Sequence, residues 1–126
     1  MKTGQMKDRL ERLILSYFDF LVTDFSFAYR KRIFPEYMSF PGPVCVYSFF
    51  NDNGCLSFHY IAQKDELGLY TADQYSDRQS DLMAHEVSTS KLCSRKVFTK
   101  KQLFSEISKQ LRKEAEINGT VLGIKV

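Results

Sequence analysis

The sequence predicts an α+β domain, in which an antiparallel β-meander of four or five strands packs against an N-terminal and a C-terminal α-helix. Apolar residues recur at helical steps near both ends of the chain, and between those stretches they alternate with polar residues. The predicted strands follow one another directly, which is typical of an α+β order. Because 126 residues is an ordinary domain length, we interpret residues 1–126 as a single domain.

The N-terminal helix is predicted from apolar residues spaced three or four apart. Charged residues, among them Lys7, Glu11 and Asp19, occupy the other side of the helix. We therefore expect one face in water and one face packed on a sheet. The apolar stripe consists of Met6, Leu10, Leu13, Ile14, Tyr17, Phe18, Leu21, Val22 and Phe25.

A first strand is predicted where the apolar period changes to two, at Phe25, Phe27 and Tyr29. We expect this strand to end at the basic run 30–32. A loop is predicted after it, because proline removes a backbone donor and fixes φ. The predicted loop contains Pro35, Pro41, Gly42 and Pro43.

The clearest hairpin is predicted from residues 44–50 and 55–62, with Asn53-Gly54 at the centre of the turn. In that register Tyr47 lies opposite Tyr60, and Phe49 lies opposite Phe58. One face of the hairpin, which we expect to be the core face, carries Cys45, Tyr47, Phe49, Leu56, Phe58 and Tyr60. The other face carries Val46, Ser48, Ser57, His59 and Ile61.

The region after the hairpin predicts two further strands separated by an irregular segment. Residues 67–72 are short, apolar and bounded by acidic residues, and we predict a strand there. No period holds over residues 73–90, which predicts an exposed excursion with one helical turn near residues 81–85. Residues 92–98 are predicted as a last strand.

The closing helix is the best-delimited element of the sequence. Its predicted start is Thr99, with Gln102 three residues later completing a capping box. Asn118-Gly119 supplies a left-handed stop. The tail 120–126 is apolar, and it either adds an edge strand or stays loose.

The sequence contains no catalytic, nucleotide-binding or metal-binding motif that we recognise, so we predict no enzyme activity and no cofactor. Cys45, Cys55 and Cys93 form no C-x-x-C pair, and we expect reduced thiols. His59 and His85 fit no zinc-ligand spacing. A Cys–His nucleophile is disfavoured because His59 faces away from Cys45 and lies about 13 Å along the strand from Cys55. The sequence leaves open whether His85 and Cys93 form such a nucleophile.

The location we expect is cytoplasmic, with no membrane partner. No apolar run reaches the length of a membrane span, since Ser16 and Asp19 interrupt the longest one. Charged residues lie where the apolar segment of a signal peptide would begin.

Charge is unevenly distributed, and its pattern indicates a protein-binding surface. Residues 65–86 carry six acidic and one basic side chain, whereas residues 87–126 carry nine basic and three acidic ones. Carboxylates steer a basic protein partner and tyrosines supply anchoring area. A homodimer, and nucleic-acid binding through the basic closing helix, are alternatives that we favour less. The candidate partner-binding residues are Asp65, Glu66, Tyr70, Asp73, Tyr75, Asp77, Asp81 and Glu86.

A family resemblance lies in the segment L-S-Y-F-D-F-L-V-T-D-F-S-F, residues 15–27. Phe20-Leu21, Asp24, Phe25 and Phe27 match an opening F-L-x-x-[DE]-[FY]-x-F, which resembles that of small bacterial proteins of the polymorphic-toxin immunity type. Ser26 stands where those proteins often have glycine. The resemblance implies a meander, a closing helix and a non-catalytic protein that masks a toxin. It implies no individual functional residues, because toxin-facing surfaces differ among such proteins.

Overall fold

A computed structural model describes residues 2–35 and 43–126. Strands β1 to β5 form one antiparallel sheet in sequential order, and β6 and β7 form a separate short hairpin. The predicted α+β meander with a helix at each end is confirmed. The elements are α1 (Lys2–Phe18), α2 (Phe20–Thr23), β1 (Ala28–Phe34), β2 (Val44–Asn51), β3 (Gly54–Ile61), β4 (Glu66–Ala72), α3 (Gln79–Leu82), β5 (His85–Val87), α4 (Thr89–Leu92), α5 (Lys100–Asn118), β6 (Thr120–Val121) and β7 (Ile124–Lys125).

Helices α1 and α5 cover one face of the sheet, which we call the first face. Phe18 of α1, Phe58 of β3 and Phe104 of α5 meet there with ring centroids 4.9 to 5.9 Å apart. All three side chains are buried. Tilted and edge-to-face aromatic pairs of this kind contribute about 1 kcal/mol each beyond their burial. The predicted core face of the hairpin is therefore confirmed, with Tyr60 half-buried at its margin.

The hairpin turn is centred on Asp52-Asn53, so the prediction of Asn53-Gly54 was wrong. Asn51 pairs with Gly54, and its side-chain oxygen accepts a hydrogen bond from the backbone N–H of Asn53 at 2.8 Å. This Asx turn sets the register two residues away from the predicted one, with Tyr47 opposite Phe58. A shift of two preserves which side chains share a face, which is why the core face was still correct.

Strand β1 begins later and runs further than predicted. It continues through the basic run to Phe34, because the basic side chains find partners on both faces of the sheet. Lys31 lies 3.3 Å from Glu11, which was predicted to face water and is instead half-buried, and Arg32 lies 2.6 Å from Asp77. The predicted loop at Pro41 and Gly42, like the side chain of Met6, lies outside the described residues.

The opposite face of the sheet, the second face, is also buried, which the sequence did not predict. Val44 and Val46 pack there with Leu82 of α3, and the Phe50 ring stacks on Tyr75 at 4.2 Å. The segment 73–84 therefore folds back over the sheet instead of forming an exposed excursion. Its helical turn is Gln79–Leu82, slightly earlier than predicted.

Residues 85–98 also differ from their prediction. His85–Val87 adds a fifth strand beside β4, and Thr89–Leu92 forms a helical turn. The predicted strand at 92–98 is absent from this described segment. The backbone N–H and the hydroxyl of Ser94 both donate to Glu106 of α5, which ties the segment to the helix.

The ends of α5 agree with the sequence prediction. The hydroxyl of Thr99 accepts a hydrogen bond from the N–H of Gln102 at 3.1 Å. The Gln102 side chain accepts from Phe98 instead of Thr99, so the capping box is extended by one residue. Gly119 has φ 69°, the predicted left-handed stop. The tail forms the β6–β7 hairpin, whose backbone donates to Glu114.

Candidate functional site

A cavity of about 300 Å³ lies on the second face, between strands β3 to β5 and the turn of α3. Buried polar side chains and exposed carboxylates both contribute to its wall. The lining residues are Val44, His59, Ile61, Glu66, Leu67, Gly68, Tyr70, Gln79, Met83 and Glu86.

The cavity lies beside Gly68, a position of β4 that the Tyr70 ring covers. Gly68 is the direct partner of His59 across β3 and β4. The Tyr70 ring bends back over Gly68 and meets the His59 imidazole edge-on, with centroids 4.8 Å apart. A glycine inside a strand often marks a close approach of another group, and here that group is a tyrosine ring.

His59 is the most buried polar residue of the cavity wall, with 3% of its surface exposed. Its Nε2 lies 2.9 Å from the hydroxyl of Ser57, and its Nδ1 has no hydrogen-bonding partner among the described residues. Burial lowers the pKa of His59 from 6.5 to about 4. The imidazole is therefore neutral at physiological pH and is a weak base.

Gln79 provides the second unpaired polar atom. Its side chain is 9% exposed, and its Nε2 has no partner within the described part of the chain. More than nine in ten buried polar groups in proteins are hydrogen-bonded. The hydroxyls of Tyr47 and Ser48 are also buried without a partner among the described residues, but of these four residues only His59 and Gln79 line the cavity.

Glu66 and Glu86 supply the charge of the cavity. Both side chains are exposed, and neither forms an ion pair with another described residue. Glu86 lies directly opposite Tyr70 across β4 and β5, and Glu66 lies on the same strand face as Tyr70. Among the described residues that line the cavity, none is Lys or Arg.

Only three of the eight predicted partner-binding residues, Glu66, Tyr70 and Glu86, meet at this cavity. Asp73 follows the far end of β4, about 23 Å from Glu66 along the strand. The other four residues make contacts within the chain, as described next.

The remaining predicted carboxylates serve the fold. Asp65 accepts hydrogen bonds from Tyr60 at 2.7 Å and from Lys100 at 2.9 Å, and these contacts lower its pKa. Asp77 pairs with Arg32, and Asp81 accepts from Ser76 at 2.9 Å. Tyr75 stacks on the second-face core. The predicted acidic surface is therefore divided: Asp65, Asp77 and Asp81 have partners within the chain, Glu66 and Glu86 line the cavity, and Asp73 is exposed away from both.

The thiols and the second histidine lie apart from the cavity. Burial raises the pKa of Cys55 to about 12, and burial and nearby Glu106 raise that of Cys93. Both thiols stay protonated at neutral pH, which makes them poor nucleophiles. His85 pairs with Thr71 and so projects from the opposite face of the sheet to His59. Within residues 2–35 and 43–126, no three His, Cys, Asp or Glu side chains are placed to hold a metal ion.

Several basic side chains of the closing helix already have partners. Lys100 binds Asp65, Lys109 lies 3.7 Å from Glu106, and the Arg112 guanidinium lies 4.1 Å from the centroid of the Phe20 ring. Part of the positive charge that suggested nucleic-acid binding is thus committed to the fold. No helix in the described ranges has the length and apolarity needed to cross a bilayer.

Sequence reasoning missed His59, Gly68 and Gln79 as site residues. A glycine in the middle of the predicted strand 67–72 was the available signal, together with polar Ser57 and His59 on the second hairpin face.

Comparisons of the chain with protein-family models, with curated proteins and with solved structures found no match.

Proposed function

We propose that this chain is a cytoplasmic, non-catalytic protein-binding domain of the immunity type, which binds a basic protein partner through Glu66, Tyr70 and Glu86. The observation that carries the proposal is the pair of exposed carboxylates, without ion-pair partners in the described chain, that line one cavity together with Tyr70. Carboxylates left unpaired at a surface attract a basic partner, and a tyrosine in the same wall adds contact area.

The contrast with the other acidic residues supports this choice of surface. Asp65 and Asp77 are already neutralised by Lys100 and Arg32, so they contribute little net field. Glu66 and Glu86, like Asp73 and Asp81, form no ion pair within the described residues, but only Glu66 and Glu86 line the cavity. The proposed surface is therefore narrower than the whole acidic segment 65–86.

The wall chemistry supports binding instead of catalysis. None of the described residues that line the cavity is Ser, Thr, Cys or Lys, the usual nucleophiles. His59 has a pKa of about 4, so it accepts a proton poorly at neutral pH. Charge attraction by Glu66 and Glu86, together with hydrogen bonding by His59 and Gln79, is the chemistry by which this wall can bind a group.

The test is a double charge reversal, Glu66→Lys with Glu86→Lys. The chain is immobilised, and its binding to the product of a neighbouring gene, or to a basic protein enriched from the source cells, is measured over a range of salt. We expect wild-type affinity to fall as salt rises and the double variant to lose at least about tenfold in affinity.

The matched control is Asp52→Lys with Glu116→Lys, which changes the net charge equally at exposed positions away from the cavity. It should bind almost as well as wild type. Equal losses in both double variants would contradict the proposed surface, because only net charge would then matter. Sedimentation at two protein concentrations checks that a homodimer does not account for the signal.

A further inference from the structure

Two residues that line the cavity each carry a buried nitrogen that lacks a partner among the described residues, Nδ1 of His59 and Nε2 of Gln79. A buried polar atom without a hydrogen bond destabilises the folded chain. Proteins keep such atoms chiefly where a ligand or a bound water satisfies them. Their location on one cavity wall points to one occupant that contacts both residues.

The charges of the cavity wall favour a positively charged ligand. Glu66 and Glu86 are exposed, whereas His59 and Gln79 are buried and neutral, so the negative charge lies toward the solvent side. The carboxylates on the solvent side would repel an anion. A cation would be attracted, and an ammonium or guanidinium group donates hydrogen bonds that carboxylates accept strongly.

The remaining wall is apolar. Val44, Ile61 and Met83 are apolar residues of the cavity lining. A short alkyl chain fits such a wall, in the way that lysine stems cover apolar surface. The volume of about 300 Å³ is at the lower end of ligand sites, so the occupant is small.

We infer that this cavity binds an alkyl ammonium or guanidinium group on a short apolar stem, with a neutral hydrogen-bonding group at the far end. The cation lies toward the exposed carboxylates of Glu66 and Glu86, and the neutral group lies against His59 and Gln79. The cationic group can belong to a small free amine or guanidine, or to the Lys or Arg side chain of a protein. The protein side chain as ligand rests on the proposed protein-binding function.

The experiment is calorimetric titration of the full chain with 5-aminopentanamide, which has an ammonium, a four-carbon stem and a neutral amide. Pentanamide is the matched probe without the cation, and 5-aminopentanoate replaces the amide by a carboxylate. We expect saturable binding of 5-aminopentanamide and at least about tenfold weaker binding of each control probe. Capped lysine and arginine peptides form a second arm, and tighter binding in that arm assigns the cation to a protein side chain.

Two protein variants test the residues. Glu66→Gln with Glu86→Gln keeps the shape of the side chains and removes their charge, and should weaken binding of 5-aminopentanamide at least about tenfold. Asp52→Asn with Glu116→Gln is the control and should leave the affinity for this probe unchanged. Gln79→Leu should weaken 5-aminopentanamide while leaving the weaker binding of pentylamine, which lacks the amide, unaffected.

Absence of saturable binding by every cationic probe would overturn the inference, as would equal binding of pentanamide or unchanged binding by the Gln double variant. These failures are distinct from failure of the proposed function. A protein partner that responds to the Lys double variant while the small probes do not bind would leave the proposed function standing and remove only this inference.

Discussion

Gly68 lies directly opposite His59 in the β3–β4 register, and the Tyr70 ring occupies the space that a side chain at Gly68 would need. A Cβ added to Gly68 would lie 2.8 Å from Cε1 of Tyr70, closer than real contacts allow. The same ring meets the His59 imidazole at 4.8 Å. These three residues therefore form one unit, and a change in any of them should reshape the cavity wall.

The first prediction concerns this unit. Gly68→Ala should push the Tyr70 ring away from His59 and lower the free energy of unfolding by about 1–2 kcal/mol. Urea unfolding measures that loss. On a Tyr70→Ala background the same substitution should cost much less, because the clashing ring is gone. Equal costs on both backgrounds would show that the ring is not the reason for the glycine.

The second prediction concerns pH. The folded-state pKa of His59 is about 4, below its unfolded value of 6.5, so the unfolded chain binds more protons between these values. Its contribution to stability is present above about pH 6.5 and is lost as pH falls toward about 4, a total of about 3 kcal/mol.

Urea unfolding at pH about 7.5 and about 4.5 measures this loss. His59→Phe is the comparison, since it removes the imidazole and leaves the carboxylates and the other histidine, His85, in place. The variant should lose less stability over this pH range than the wild type. An identical loss in both proteins would mean that His59 does not carry the dependence.

The third prediction concerns Glu106, whose side chain is only 5% exposed. It accepts hydrogen bonds from the backbone N–H and the hydroxyl of Ser94, and these bonds help to lower its pKa. Glu106→Ala should speed amide hydrogen exchange in residues 93–98, because their anchor to α5 is removed. Glu106→Gln keeps an acceptor and should restore most of the protection. Unchanged exchange in the Ala variant would contradict this role.

The fourth prediction concerns the end of α5. Gly119 has φ 69°, and a Cβ there would contact nothing within 4 Å, so strain is the whole cost of a side chain. Gly119→Ala should lower the free energy of unfolding by about 1 kcal/mol. Gly119→Asn should cost less, since asparagine tolerates this conformation. A larger loss for Asn than for Ala in thermal or urea unfolding would refute the explanation.

Local patterns in the sequence predicted the parts of the fold that local interactions determine. The stop at Gly119, the cap at Thr99 and the core face of the hairpin each depend on neighbouring residues or on strict alternation. The predicted hairpin register was wrong because the turn forms at Asp52-Asn53 and not at Asn53-Gly54. A hydrogen bond from the backbone N–H of Asn53 to the Asn51 side chain stabilises the observed turn, although Asn-Gly is the preferred turn dipeptide.

The second face and the cavity depend on contacts between distant residues, which no period reveals. Segment 73–84 lies over the sheet, where Leu82 and Tyr75 pack on the second-face core and Arg32 meets Asp77 across 45 positions. This placement brings Gln79 and Met83 to the cavity wall. The acidic composition of residues 65–86 was visible in the sequence, but which carboxylates stay unpaired was decided by the fold.

Cation binding at the cavity is tested most directly by an NMR titration of the full chain with 5-aminopentanamide, followed through the two imidazole rings. We expect the His59 ring signals and the amides of Gly68 and Tyr70 to shift with one common affinity, while the His85 ring signals on the opposite face stay in place. Shifts that spare His59, or that follow His85 instead, would contradict it.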